Sequence, residues 1–318
     1  MKKTSTPLVG RKPPRIERKP SGSAYSSSPR YSRGIGLLTK IYCVLIVGIV
    51  AVLAYFYQSH MFSDEYLTAV AFEYPADYSK SCQNKSSTVA DHLKQTHGDN
   101  VHFSVTTPTN YRSDFAHPLL VVWAPSGMSE KFSERFVGLT REATQQGYVV
   151  VHTRSVPLGM KFLEALSGLP SAVIENWCVD SNLVFYTGHS DGGTVSNALS
   201  VMPESAFHPR AIAPSAMGMQ GKDMAVYKCP SPTNVMLMHN KGDGHFPGYG
   251  VEVAQWWANC NQCASELVQS EYTGCVEYTA CSEGVSTLFC EAEGNHAHWP
   301  GPEHDPIRFF SSIVESTR

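Results

Sequence analysis

Strand-like and helix-like patterns alternate through the last two thirds of the chain. Residues 101–107 alternate apolar and polar positions, as a half-buried strand does, and residues 118–124 form the continuous apolar run of a strand covered on both faces. Residues 129–145 carry apolar side chains at helical spacing and end just before Gly147, which predicts one helix. A second apolar run follows at 148–153. Strand, helix and strand in this order predict a right-handed parallel crossover.

The alternation continues to the C-terminal region and defines the fold class. Further strand and helix patterns lie at 182–188, 194–202, 211–216, 234–239, 251–260, 286–294 and 307–315. This succession predicts an α/β fold, with an open, mostly parallel sheet flanked by helices over residues 101–318.

A long uncharged run near the N-terminus has a different character. Ile41 to Tyr57 contains no charged residue in 17 positions, and the apolar pattern extends upstream to residue 35. Because about 20 apolar residues cross a bilayer core, we predict a single transmembrane helix over 35–57 that lies in the lipid bilayer as an uncleaved signal anchor. The alternatives are a cleaved signal peptide, for which the run is too long and lacks a small-residue cleavage site, and a buried core helix.

The charge distribution supports this topology. Residues 1–40 hold ten Lys and Arg against one acid, a net charge of +9, whereas the rest of the chain has 15 basic and 27 acidic residues, a net charge of −12. A basic flank stays cytoplasmic, so the part beyond the anchor is predicted to be periplasmic, extracellular or lumenal. Residues 1–34 are predicted to be a disordered tail and 58–100 a stalk or lead-in. The overall net charge of −3 gives no support for nucleic-acid binding.

The cysteines agree with an oxidising compartment. Cys43 lies within the predicted span, and an even eight lie beyond it: Cys82, Cys178, Cys229, Cys260, Cys263, Cys275, Cys281 and Cys290. We predict up to four disulfide bonds among the eight. Zinc binding by the Cys260–Cys263 pair is the alternative, although Cys275 and Cys281 do not repeat its spacing. Asn84 begins a glycosylation sequon, which is usable only in a host that glycosylates.

One motif points directly to chemistry. Gly188-His189-Ser190-Asp191-Gly192 follows a predicted strand and precedes a predicted helix. A G-x-S-x-G in this setting makes a tight turn that projects the serine hydroxyl above the sheet, where it can act as a nucleophile. The alternative is a glycine-rich helix entry in which the serine is only a cap.

A nucleophilic serine needs a base and an orienting acid, which follow it along the chain in the order acid and then histidine in folds with this turn. Asp243 follows the strand pattern at 234–239, and His296 and His298 follow the pattern at 286–294. The ends of parallel strands meet at one edge of a sheet. We therefore predict the catalytic set Ser190, Asp243 and His296, with His298 as the alternative base, and expect no metal and no cofactor.

Residues from about 100 to 318 resemble the extracellular polyhydroxybutyrate depolymerase and feruloyl esterase group of α/β-hydrolases. The stretches that carry the resemblance are PLLVVWAPSG, GYVVVHTR, VDSNLVFYTGHSDGGTVSNAL, AIAPSAMG, VMLMHNKGDGHFPGYG, WWANC and EGNHAHWPG. The resemblance implies an α/β-hydrolase fold and hydrolysis of a small or oligomeric carboxylic ester. It also implies that Asp243, with Pro247 and Tyr249 beside it, is the triad acid. The histidine motif of the group has one residue fewer before its Trp-Pro-Gly, which leaves His296 and His298 both open.

The oxyanion hole is predicted from two backbone amides. The N–H of Asp191, the residue after the nucleophile, is one donor. The segment Ala124-Pro125-Ser126-Gly127 replaces the His-Gly of the resembling group, and proline has no N–H. The other donor is therefore expected from Ser126 or Gly127, and we predict Ser126. Taken together, the predicted anchor and the predicted site indicate a membrane-anchored esterase. Its substrate is expected to be a soluble ester near the membrane. An inactive binding ectodomain and a serine peptidase are the alternatives.

Overall fold

The computed structural model describes residues 42, 45, 46, 48, 64–76, 82–98, 100–282 and 284–317. The chain divides into two compact units, Met1–Ala54 and Tyr55–Arg318, of which the first has only four described residues, all helical. The predicted tail, 1–34, and the predicted membrane helix, 35–57, therefore lie outside the described residues apart from those four. Within the described part of the chain, no helix has the length and apolarity needed to cross a membrane.

A ten-stranded sheet forms the centre of the second unit, counted over its described residues, with the order β1-β2-β4-β3-β5-β6-β7-β10-β9-β8. The strands are β1 Leu93–His97, β2 Val101–Thr106, β3 His117–Trp123, β4 Val149–Thr153, β5 Val179–His189, β6 Ala211–Ser215, β7 Asn234–Asn240, β8 Leu267–Gln269, β9 Cys275–Tyr278 and β10 Thr287–Ala292. Six neighbouring strands in the middle of this order are parallel: β4, β3, β5, β6, β7 and β10. The strands on either side, β1 and β2 at one edge and β9 and β8 at the other, pair in antiparallel fashion. The predicted α/β fold with a mostly parallel sheet is confirmed.

Helices connect the parallel strands and cover both faces of the sheet. They are α1 Glu130–Val137, α2 Thr140–Gln145, α3 Met160–Ser167, α4 Leu169–Asn176, α5 Asp191–Val201, α6 Gly221–Met224, α7 Tyr249–Cys260, α8 Gly301–His304 and α9 Pro306–Thr317. Trp257 of α7 is fully buried on one face, and Phe310 of α9 is fully buried on the other. Each face thus has its own apolar core, as the continuous apolar runs of β3 and β4 predict.

The prediction of one helix over residues 129–145 was wrong, because α1 and α2 are separate. Gly138 ends α1 with a φ of 62°, and its N–H donates to the Glu134 carbonyl oxygen at 2.8 Å. Glycine favours this left-handed cap, whereas the apolar spacing on either side is nearly continuous and hides the break. The structure also adds β1, inside the predicted lead-in, and the β8–β9 hairpin, for which the sequence has no strand signal.

Four disulfide bonds join the eight cysteines of the second unit. The pairs are Cys82–Cys178, Cys229–Cys260, Cys263–Cys281 and Cys275–Cys290. Cys260 and Cys263 belong to different bonds, so their Cys-x-x-Cys spacing does not present two thiolates to a zinc ion. The side chains of Cys275, Cys290 and His304 also lie within ligand distance of one another, but the first two are likewise bonded together.

We expect intact-mass alkylation of the denatured, unreduced protein to modify only one cysteine, Cys43, which lies outside the described residues. After reduction, all nine cysteines should react. Each native bond that is removed should destabilise the protein by about 2–5 kcal/mol. Several reactive cysteines before reduction would contradict both the pairing and the oxidising compartment predicted from the sequence.

Candidate active site

The serine of the G-x-S-x-G motif lies in a strained turn between β5 and α5. Ser190 has φ 57° and ψ −119°, a conformation that L-residues rarely adopt, and its N–H donates to the Ser215 carbonyl oxygen at 3.0 Å. The flanking glycines make the turn possible. A Cβ at Gly188 would lie 2.6 Å from the Trp123 carbonyl oxygen, and one at Gly192 would overlap the same atom. Only glycine lets the start of α5 pack this closely on β3.

The hydroxyl of Ser190 begins a chain of hydrogen bonds through two further strand ends. Ser190 Oγ is 2.9 Å from His296 Nε2, and His296 Nδ1 is 2.9 Å from Asp243 Oδ2. Ser190 follows β5, Asp243 follows β7, and His296 follows β10, so the three side chains meet at the carboxyl edge of the sheet. The three residues predicted from the sequence are thus brought together with the spacing that proton transfer requires.

Asp243 is held as a buried carboxylate. Its Oδ1 accepts hydrogen bonds from the N–H groups of His245 and Phe246 at 2.9 and 3.0 Å, while Oδ2 accepts from His296. Burial opposes ionisation, but the hydrogen bonds from His296, Phe246 and His245 outweigh it and lower the pKa of Asp243 below its usual value. His239 lies near the same oxygen as His296, with Nε2 3.8 Å from Oδ2. A charged Asp243 fixes the proton of His296 on Nδ1 and leaves Nε2 free to accept one from Ser190.

His298, the alternative base, lies elsewhere. Its Nε2 is 3.1 Å from Glu303 Oε1, and both side chains are 44% exposed. The extra residue before Trp299 is therefore accommodated after His296, in a turn in which the His298 N–H donates to the Asn295 carbonyl oxygen at 3.1 Å.

The His296→Ala and His298→Ala variants should separate the two histidines. We expect His296→Ala to lower kcat for ester hydrolysis by about 10⁴- to 10⁶-fold, because the serine would lose its base. His298→Ala should stay within about threefold of the unaltered protein, since the side chain is at the surface and outside the hydrogen-bonded chain. Initial rates on a p-nitrophenyl ester measure both, and a reversed order would assign the base to His298.

The two predicted oxyanion donors lie in different settings. Asp191 is the first residue of α5, and the N–H groups of a first helical turn have no partner within the helix. In the segment after β3, the Gly127 N–H donates to Ser155 Oγ at 2.9 Å. No hydrogen bond engages the Ser126 N–H among the residues that the structure describes. Of the two amides that follow Pro125, that of Ser126 is thus the one available to a substrate.

Two polar residues at the site were missed by the sequence analysis. His189 is 2% exposed, and its Nε2 is 2.6 Å from the His296 carbonyl oxygen. Asn240, at the end of β7, donates from Nδ2 to the carbonyl oxygens of Asn295 and His298 at 2.9 and 2.7 Å. Both were hidden by long sequence separation, although each is a polar residue at the end of an apolar strand, which is a usable signal.

The aromatic surroundings of His296 come from the loop that carries Asp243. The His245 ring stacks on His296 at 4.9 Å between centroids, and the Phe246 ring meets it edge-on at 5.0 Å. Trp177, Trp257 and Trp299 are buried and Trp256 is half-buried. The His189 ring, at the end of β5, is also close, at 5.4 Å between centroids, so His245, Phe246 and His189 all line the His296 ring.

A mostly parallel sheet with a strained serine turn after β5, and with an acid and a histidine at later strand ends, defines the α/β-hydrolase fold. No protein-family model matches the chain. An acetylxylan esterase from Coprinopsis cinerea is 26% identical over 174 residues, which cover 47% of this chain and 46% of that protein. The match thus spans less than half the length of this curated relative.

One solved structure supports the same fold, and a second is similar over a comparable part of the chain. An acetyl xylan esterase from Aspergillus awamori is similar over 69% of this chain and 98% of its own, with a TM-score of 0.50 and 16% identity. An S-formylglutathione hydrolase from Staphylococcus aureus covers 67% of this chain and 92% of its own, with a TM-score of 0.47 and 11% identity. The prediction of an α/β-hydrolase that resembles esterases is confirmed. The polyhydroxybutyrate depolymerase and feruloyl esterase subgroup stays a prediction.

Proposed function

We propose that the protein is a serine carboxylic-ester hydrolase in which Ser190 is the nucleophile, His296 the general base and Asp243 the orienting acid. The observation that carries this proposal is the continuous hydrogen-bonded chain from Ser190 Oγ through His296 to Asp243. The strained conformation of Ser190 supports it, because such strain persists where the surrounding structure holds a functional group in place.

The reaction proceeds through an acyl-enzyme. His296 Nε2 takes the proton of Ser190 as Oγ attacks the ester carbonyl carbon, and the backbone N–H groups of Asp191 and Ser126 stabilise the negative oxygen. His296 then gives that proton to the leaving alcohol, and the C–O bond to the alcohol breaks. A water molecule, deprotonated by the same imidazole, then attacks the acyl carbon. The bond from that carbon to Ser190 Oγ breaks, His296 returns the proton to Oγ, and the carboxylic acid is released. No cofactor or metal enters these steps.

The relatives suggest which substrate class to test first. The curated relative is named for acetylxylan, which makes short-chain acyl esters of sugars the first compounds to screen beside p-nitrophenyl acetate and butyrate. Labelling with a fluorophosphonate tests the proposal itself, since only an activated serine reacts. We expect one label on the unaltered protein and none on Ser190→Ala. An unlabelled native protein would support an inactive binding domain, and preferred hydrolysis of peptides would support a peptidase.

The position of the hydrolase domain is a second proposal. The net charge of +9 over residues 1–40 and the uncharged run from Ile41 to Tyr57 support an uncleaved anchor with a cytoplasmic N-terminus. Protease added to intact cells or spheroplasts should digest the hydrolase domain and spare a tag at the N-terminus. Protection of the hydrolase domain together with digestion of the tag would show that the orientation is the opposite one.

A further inference from the structure

The residue before the nucleophile has both of its ring nitrogens engaged. His189 Nδ1 is 3.1 Å from Ser215 Oγ, and Nε2 is 2.6 Å from the carbonyl oxygen of His296. The ring is buried among aromatic side chains, with Phe136 at 5.2 Å and Trp299 at 6.1 Å between centroids. A side chain adjacent to Ser190 in sequence is therefore in direct contact with the backbone of the residue that acts on Ser190.

The direction of these hydrogen bonds follows from their partners. A carbonyl oxygen only accepts, so His189 Nε2 carries a hydrogen and donates it to His296. Burial lowers the pKa of His189 to about 4, which leaves the ring neutral near pH 7. In a neutral imidazole the other nitrogen is an acceptor, so Nδ1 accepts from the Ser215 hydroxyl. The His296 carbonyl oxygen thereby sets the tautomer of His189, and the Ser215 hydroxyl satisfies the remaining ring nitrogen.

The segment 293–300 that follows β10, the histidine loop, is held from two sides. On one side Asn240 binds the carbonyl oxygens of Asn295 and His298. On the other side His189 binds the carbonyl oxygen of His296 itself. The histidine loop follows β10 and the serine turn follows β5, and two other strands lie between these strands in the sheet. The hydrogen bond from the His189 side chain to the His296 backbone therefore joins the two segments directly.

We propose that His189 is a positioning residue that holds the backbone of His296 so that its imidazole stays within hydrogen-bond distance of Ser190. The proposal rests on the proposed function for its kinetic consequence. Its geometric content stands apart from that function, because it concerns where the imidazole of His296 lies. Displacement of this imidazole by about 1 Å would lower the rate of ester hydrolysis by about 10²-fold.

A matched pair of variants isolates the donated hydrogen bond. Glutamine and methionine have unbranched side chains of similar length, but only glutamine keeps an N–H where imidazole has Nε2. We expect His189→Met to lower kcat by about 10- to 100-fold with KM within about twofold, and His189→Gln to recover most of the loss. Rates are expressed per active site by fluorophosphonate titration, so that a misfolded fraction does not count. Ser215→Ala should give a smaller loss in the same direction.

A second measurement does not depend on catalysis. The proton on His296 Nδ1, bonded to Asp243, gives a low-field NMR resonance that is assigned by its disappearance in His296→Gln. We expect this resonance to shift or broaden in His189→Met and to stay near its original position in His189→Gln. Equal resonances, or equal kcat per active site, in the Met and Gln variants would overturn the positioning role and leave His189 as a packing residue.

The two proposals fail in distinguishable ways. If the unaltered protein shows no hydrolysis that depends on Ser190, the proposed function fails, and the NMR comparison still decides whether His189 positions His296. If hydrolysis depends on Ser190 but the Met and Gln variants behave alike, the proposed function stands and the role of His189 is refuted.

Discussion

Replacing Ser190 with alanine should lower kcat for ester hydrolysis by about 10⁶-fold, as removal of a triad serine does in other serine hydrolases. The loss is this large because no acyl-enzyme forms without Oγ, and the hydrogen-bonded chain through His296 then ends at a methyl group. Steady-state rates on p-nitrophenyl acetate and butyrate measure it. The KM of the residual activity carries no information about the site, because uncatalysed hydrolysis dominates at that level.

Ser181→Ala is the matched control for this experiment. Ser181 lies on the same strand, β5, but is exposed and distant in sequence from the serine turn, so its rate should equal that of the unaltered protein. The thermal unfolding midpoint of Ser190→Ala should not fall, since the substitution removes one half-buried hydroxyl. A Ser190→Ala variant that retains more than a tenth of the activity would place the nucleophile elsewhere.

Asp243→Asn should lower kcat by about 10⁴-fold with little change in stability. Asp243 Oδ1 accepts from two backbone N–H groups, so the asparagine oxygen will take that position and its NH₂ group will face His296 Nδ1. An NH₂ group cannot accept a hydrogen bond. His296 must therefore carry its proton on Nε2, where it can no longer remove one from Ser190.

The tautomer of His296 can be measured directly. Nitrogen-15 NMR of the His296 ring should show the proton on Nδ1 in the native protein and on Nε2 in Asp243→Asn. Asp114→Asn is the matched control, because Asp114 is an exposed carboxylate that pairs with Arg112 at the surface and should leave both kcat and the tautomer unchanged. An active Asp243→Asn variant would mean that the acid only shapes the loop.

The three side chains that the structure brings together, those of Ser190, Asp243 and His296, were predictable because their signals are local. Ser190 lies between glycines that the tight turn requires, and Asp243 and His296 each follow an apolar run that forms a strand of the sheet. The choice between His296 and His298 was open in the sequence, because the extra residue before Trp299 could be accommodated on either side. The turn that places His296 rather than His298 beside Ser190 is held by a hydrogen bond from Asn240 to Asn295, 55 residues away in sequence. Such a contact leaves no mark on periodicity.

The fold was predicted best where burial is uniform and least well where it is not. The apolar runs of β3 and β4 have only one reasonable interpretation, since both faces of those strands are covered. Strand β8 is exposed at all three positions, and β1 is half-exposed, so neither has the pattern of a buried element. Strand β1 pairs with β2, and β8 pairs with β9, whose Cys275 is bonded to Cys290 of β10. Spacing alone does not reveal these pairings.

The Cys82–Cys178 bond determines how the domain carries a mechanical load. The bond closes a covalent loop with a sequence separation of 96 residues, which contains β1 to β4 and ends one residue before β5 begins. Tension applied to the chain ahead of Cys82 passes through the sulfur bridge to Cys178 and reaches the central strand directly. The strands inside the loop are not stretched while the bond is intact. A pull from the N-terminal side, as a tether to a surface would exert, therefore leaves four of the ten strands of the described sheet, β1 to β4, unloaded. Reduction of this bond would add about 96 residues to the length of chain that such a force could extend.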